Sequence, residues 1–175
     1  MAEQPNFSSL RTPFGFSLFG LDRIVPDWMP ITGSPVLHLG VGNKRVPGTE
    51  EFDWPEWDAE RADLPYDDGS VDAVFCTHFL EHLTRPGLYN VLGEVGRVLR
   101  PNCAFSILVP HGQSLMYLQD LDHKTPFVID TWKTLLSMPY YGKDKNVLPF
   151  QIGANFLFGV TERNLTLVTQ LIKVA

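Results

Sequence analysis

Three observations predict an α/β fold built on a mostly parallel sheet. Residues 35–40, PVLHLG, form a short apolar run ending in a glycine turn, as a strand buried on both faces does. Residues 85–101, RPGLYNVLGEVGRVLRP, place Leu88, Val91, Leu92, Val95, Val98 and Leu99 on one helical face. Residues 104–110, AFSILVP, then resume a buried strand. Short apolar strands joined through a helix imply parallel pairing with both sheet faces covered.

The elements follow in order. Residues 1–34 are rich in Pro, Gly and Phe without a long period, and read as an N-terminal cover segment. Residues 35–175 read as one domain. After the first strand, TEEFD (49–53) is a second, shorter one, and DDGS (67–70) turns the chain into a third, VDAVFC (71–76). FLEHL (79–83) is a helical turn. Pro86 suits the first turn of the long helix and Pro101 is expected to end it. VIDTWKTLLSM (128–138) is a further helix. FQIGANFLFGV and LTLVTQLIKV flank the turn TERN and must pair antiparallel, because a parallel return needs a longer crossover.

Composition narrows the function. Hydrophobic residues make up 44% of the 175 and charged residues 19%, so the chain can bury a core. The net charge of −6 argues against binding long nucleic acid through its phosphates. No apolar run approaches the ~20 residues that cross a bilayer. The start, MAEQPNFSSL, has no basic end and no apolar signal core. Cys76 and Cys103 form no close-spaced pair, so reduced thiols in a cytoplasmic protein are expected.

Gly40 and Gly42 fall at the carboxyl end of the first strand, where sheets of this kind hold ligands. G-x-G alone is a weak signal. Position 45 is Arg rather than a third Gly, and Pro47-Gly48 interrupts any following helix. A pyrophosphate seat at a helix N-terminus is therefore poorly supported, and with it a nicotinamide-dependent oxidoreductase. An adenosine without phosphates fits better, since it needs a bare turn and an acid for the ribose. The reading requires that the bend open onto a hollow and not be filled by side chains.

Taken together, VLHLGVGNKRVPG…FD, WDAERADLPYDDGSVDAVFCTHFLEHL and EVGRVLRPNCAFSILVP resemble a class I S-adenosylmethionine-dependent methyltransferase over about residues 35–111. DLDHKTPF, DTWKTLL and PYY are similar to methyltransferase-like proteins of bacteriophages, which would place the protein in a host cytoplasm. The resemblance implies a Rossmann-like three-layer sandwich and S-adenosyl-L-methionine as cofactor. By it, Gly40, Val41 and Gly42 line the methionine part, and Asp53 accepts hydrogen bonds from the ribose hydroxyls. Asp58 with Ala59, or else Glu60, meets adenine. Thr77, His78 and Phe79 lie beside the sulfonium and the adenine. His38 stands where many members carry Asp or Glu, and can hydrogen-bond as a neutral ring. Asn102-Cys103 replaces a Gly-Gly turn, which Asn can keep because it tolerates left-handed geometry.

The implied reaction is in-line methyl transfer to an unidentified small-molecule or modest macromolecular acceptor, with a non-catalytic cofactor-binding or interaction protein as the alternative. Alignment and desolvation can supply much of such catalysis, and a base is needed only for an acceptor proton of high pKa. His111, His82 and His123 are the candidate catalytic groups, His78 being a further base in reach. His78, Glu81 and His82, at i, i+3 and i+4, share a helical face and could form a metal or acid/base cluster. In this motif Glu-His more often braces loops, so no metal ligand set is assigned. Asp122 could orient His123 or the two could simply lie in a surface turn, and Trp132, Tyr140 and Tyr141 could form an aromatic wall or simply core.

Overall fold

A computed structural model of the chain describes residues 35–42, 45, 48–137, 148–159 and 161–175. The cover segment 1–34 and the pair Tyr140 and Tyr141 lie outside them. Trp132 is inside: it is fully buried, stacked at 5.3 Å on Phe127, and belongs to the main core.

Six strands form one sheet: β1 (Val36–Leu39), β2 (Glu50–Phe52), β3 (Val71–Thr77), β4 (Leu99–Pro110), β5 (Phe150–Phe158) and β6 (Thr166–Lys173). Their order is β2-β1-β3-β4-β6-β5. The first four pair in parallel, while β6 runs antiparallel to both β4 and β5. The mostly parallel Rossmann-like sheet with a C-terminal antiparallel pair is therefore as the sequence predicts. The helices are α1 (Arg85–Val98), α2 (Leu115–Leu118) and α3 (Thr131–Ser137), with a 3₁₀ turn at Leu80–His82.

Register explains the core. Leu37 and Leu39 lie opposite Val74 and Cys76, which lie opposite Phe105 and Ile107. With side chains alternating along each strand, these six share one face. They join Leu88, Val91, Leu92 and Val95 of α1 in a single buried cluster. Burial of each such aliphatic side chain contributes about 1.5–3 kcal/mol. On the other face His38 is fully buried, its ring stacked on Phe75 at 4.3 Å. Every residue of β1 and β3 is buried, so both sheet faces are covered here.

Two boundaries differ from the sequence reading. The long helix stops at Val98, short of Pro101, because Leu99 is already extended at φ −61°, ψ 141° and opens β4. The residue before a proline is also driven out of the helical region. Between Leu99, paired with Val71, and Ala104, paired with Ala73, the extra residues bulge outward. There Asn102 takes φ +67°, the left-handed turn expected of it. The later helix begins at Thr131 and not at 128. Val128 instead donates its N–H to Thr131 Oγ1 at 2.8 Å and accepts from Thr131 N at 2.9 Å, a turn that precedes the helix. No helix among the described residues is long and apolar enough to cross a membrane.

Candidate functional site

Parallel pairing brings the carboxyl ends of β1, β2, β3 and β4 to one edge of the sheet. Leu39 lies opposite Phe52, so Gly40 and Asp53 leave their strands side by side. The Gly40 N–H donates to Phe52 O at 2.8 Å. Gly40 and Gly42 both adopt left-handed backbone, φ +68° and +53°, which a residue without Cβ reaches at no steric cost. The Asp53 carboxylate closes the bend: Oδ2 accepts from Gly42 N and Oδ1 from Trp54 N at 3.0 Å. Each carboxylate oxygen has a second lone pair in hand.

The bend is partly filled. A Cβ on Gly40 would lie 2.4 Å from the Phe79 ring, so Phe79 occupies the space that the missing side chain leaves. The expectation of a wholly bare turn is corrected accordingly: Gly40 makes room for Phe79, and the open part of the bend is at Gly42, which is exposed, with Val41 buried between them. Phe79 in turn leans on Trp57, ring centroids 6.2 Å apart, and Trp57 meets Phe52 edge-on at 5.8 Å. Trp57 is buried and its indole N–H has no acceptor among the described residues. Sequence reasoning missed Trp57. Its position four residues after Asp53 was the available signal.

Asp58 and Glu60, the rival acids, have separate environments. Glu60 is committed to α1: Oε1 accepts from Thr84 N at 2.8 Å and Oε2 from Thr84 Oγ1 at 2.6 Å. These bonds, more than the nearby Lys124 and Arg61 charges, hold its carboxyl below the usual range. Asp58 is half-buried; Oδ1 accepts from Glu60 N at 3.1 Å, and Arg61 stands 3.7 Å from Oδ2. Ala59 is buried and its carbonyl accepts from Asn90 at 3.1 Å.

Thr77 ends β3 with its hydroxyl buried and without a hydrogen-bond partner among the described residues. His78 follows at φ +52°, unusual for a residue with a side chain, and donates its N–H to Leu108 O at 2.8 Å. His38 is set back inside the sheet, two residues before the bend, against Phe75.

The three candidate catalytic histidines do not form one group. His111, just past β4, is buried, and burial pushes its imidazole below its ordinary value, so it is neutral at pH 7. Its Nδ1 accepts from Gln113 N at 3.3 Å, which leaves the proton on Nε2. His82 and His123 do meet, ring centroids 4.7 Å apart, over the buried Glu81. The acids beside His123 Nε2 are Asp120 at 3.6 Å and Glu81 at 3.9 Å, and not Asp122, which donates its own N–H to Asp120. Of the two readings of this loop, the Asp122–His123 pair is corrected, and Asp122 lies exposed in a turn. No hydrogen bond, ion pair or ring contact among the described residues joins His111 to this cluster.

Comparisons with known proteins follow the same outline. Residues 38–107 match a family model described as a methyltransferase domain. A S-adenosylmethionine-dependent methyltransferase from Archaeoglobus fulgidus is similar in fold, with 18% identity, TM-score 0.58, and coverage of 79% of this chain and 86% of that one. So is the Burkholderia thailandensis 1,6-didemethyltoxoflavin-N1-methyltransferase, solved with 1,6-didemethyltoxoflavin and S-adenosylhomocysteine, at 15% identity, TM-score 0.56, and coverage of 80% and 71%. A chain from the complex containing the Haloferax volcanii Trm112 methyltransferase activator matches at 16% identity and TM-score 0.61, covering 85% and 86%. Identities this low speak for the fold alone. A search of curated proteins finds no match.

Proposed function

We propose that this chain, whose residues 38–107 match a methyltransferase-domain model, is a class I S-adenosylmethionine-dependent methyltransferase that binds its cofactor at the Gly42–Asp53 bend and transfers its methyl group. One observation carries the proposal: a carboxylate held beside a left-handed glycine at the carboxyl edge of a parallel sheet. The residues fit the cofactor on their own terms. Asp53 retains acceptor capacity for two ribose hydroxyls. Gly42 offers an exposed backbone to the methionine part, and no phosphate seat is needed. Phe79 and Trp57 give an apolar wall of the kind a purine ring packs against. Asp58, less engaged than Glu60, is the better acid for the adenine end, with Ala59 beside it.

When bound, S-adenosylmethionine supplies a sulfonium methyl open to in-line displacement by an acceptor nucleophile. The chain's own part is alignment and exclusion of water by Val41, Thr77, His78 and Phe79. His111, neutral with its proton on Nε2, acts as a hydrogen-bond donor to the acceptor and becomes a base only if Gln113 releases Nδ1. The acceptor is a small molecule or a modest macromolecular target, because the acidic surface disfavours long nucleic acid.

Phe79 over Gly40 favours a second reading, a fold-sharing protein that binds partners without turnover. Calorimetry separates them. The methyltransferase reading expects binding of S-adenosylmethionine and S-adenosylhomocysteine but not NAD. Asp53→Ala is expected to weaken it by about 1.5–3 kcal/mol for each charge-assisted bond lost. Asp53→Asn, which can still accept from Gly42, controls for loosening of the bend. Unchanged affinity in folded Asp53→Ala removes this residue from the site, and no binding to the folded wild type removes the cofactor.

A further inference from the structure

The 3₁₀ turn Leu80–His82 encloses a buried carboxylate. Glu81 is fully buried, and neither Oε1 nor Oε2 accepts a hydrogen bond among the described residues. An ionised carboxylate buried this way is strongly disfavoured unless something compensates its charge. Imidazoles surround it. His78 Nδ1 lies 3.5 Å and His123 Nε2 3.9 Å from Oε1, both beyond good hydrogen-bond distance. One ligand atom from each of Glu81, His82 and His123 lies within 4.8 Å of the other two.

The far side of His123 sharpens this. Its Nδ1 is 2.8 Å from the Tyr117 carbonyl oxygen. A carbonyl only accepts, so Nδ1 carries the proton. On a neutral ring Nε2 then holds a lone pair facing Glu81 Oε1, and also Asp120 Oδ2 at 3.6 Å. A lone pair between two carboxylates is repelled unless a cation lies among them or the ring is protonated. A backbone carbonyl on the far nitrogen is also how proteins fix the tautomer of a metal-binding histidine.

We infer that Glu81, His82 and His123 bind a divalent first-row transition ion of the Zn²⁺ type, with Asp120 at the rim as a further oxygen donor. Two imidazoles and one carboxylate suit borderline ions, whereas Ca²⁺ and Mg²⁺ prefer oxygen alone. Tetrahedral bonds of about 2.0–2.2 Å set ligand atoms ~3.3–3.6 Å apart, so atoms now within 4.8 Å of one another close by up to about 1.5 Å through side-chain rotation as the ion binds. The ion neutralises Glu81 and pins the loop 120–125, which already donates Lys124 N and Thr125 N to Glu81 O at 2.7 and 3.0 Å. Because Glu81 follows Phe79 by two residues, a filled site also steadies the wall over Gly40. The inference stands apart from methyl transfer, since ion binding needs no cofactor.

The test uses tag-free protein stripped with a chelator, then titrated with Zn²⁺ by calorimetry and Co²⁺ by visible absorption. One ion per chain, ligand-field bands with Co²⁺ and a raised Tm are expected. His82→Gln and His123→Gln should each weaken binding by at least ~100-fold, the upper end of what losing a supporting partner costs. Circular dichroism checks that both variants fold; Glu81 itself is left intact because its burial ties it to folding. Neither heat nor cobalt bands in the folded wild type overturns the inference and leaves an imidazolium–carboxylate cluster. Binding that survives the double variant His82→Gln/His123→Gln overturns it as well.

Discussion

Gly40 shows how one missing side chain can serve two neighbours. Its φ of +68° costs a residue with a Cβ roughly 1–2 kcal/mol, and the Phe79 ring at 2.4 Å adds an overpacking cost of about 1–3 kcal/mol. Gly40→Ala is therefore expected to lose roughly 2–5 kcal/mol in urea unfolding. Phe79→Ala in the same chain should relieve the clash but not the backbone cost, so the double variant loses less stability than the two single ones summed. Simple additivity would mean that Phe79 does not rest on Gly40. Sequence could supply half of this residue's story. The glycine, the strand before it and the acid Asp53 were legible from local spacing. Phe79 over Gly40 was not, since the two residues meet only through the pairing of β1 with β3. The same holds for Asp120 at His123 and for Glu60, which sequence kept as the alternative to Asp58 and which Thr84 claims.

At the scale of elements, α1 was the most legible part of the chain because its apolar face repeats at helical steps. What anchors it is not periodic and was not foreseen. Arg97 reaches back over the loop before β3, donating to Tyr66 O at 2.7 Å and Leu64 O at 2.9 Å while its other bonds go to Glu94 and Asp68. Glu94 also accepts from Leu64 N at 2.8 Å. This clamp holds residues 64–68 against the helix and so fixes where β3 begins. The Arg97 bonds hold the Glu94 carboxyl below its ordinary value. A carboxyl depressed in the folded state adds stability in full above its unfolded pKa of about 4.3, and loses it as pH falls through the folded one. Glu94→Gln should thus cost about 1–3 kcal/mol at pH 7, the worth of bonds to a charged group. The gap from wild type should narrow as pH drops below about 4.3. A gap constant from pH 7 to pH 3 in denaturant titrations would show that packing, not charge, is what the substitution removes. Short elements escaped the sequence for a different reason. α2 is a single turn, capped by Ser114 Oγ accepting from Tyr117 N at 3.2 Å, too short to show a period.

Over the whole molecule, the parallel half and the antiparallel pair were both legible, from a crossover helix and from a short turn. Their order was not. Either β5 or β6 could have been set against β4, and nothing local in FQIGANFLFGV or LTLVTQLIKV decides it. Burial does: β6 buries Leu167, Val168 and Leu171, whereas Gln151 and Ile152 of β5 are exposed. The last strand in sequence is thus an inner strand in space, bonded to β4 along Ala104–Pro110 and to β5 along Phe150–Phe158. Lys173 at its end adds a clasp, with its amine on the carbonyls of Arg97 and Leu99. Removing β6 forfeits about 5–9 kcal/mol from those three aliphatic side chains alone, comparable to the whole stability of a domain this size. It also leaves β4 with an open edge prone to pairing with other chains. A chain ended after Asn164 should therefore show no cooperative urea transition and should aggregate, while Lys173→Met in the full chain should lose only about 1 kcal/mol. If the shortened chain melts cooperatively near the wild-type midpoint, β4 closes the core without its antiparallel neighbour, and the sheet's stability resides in the parallel half.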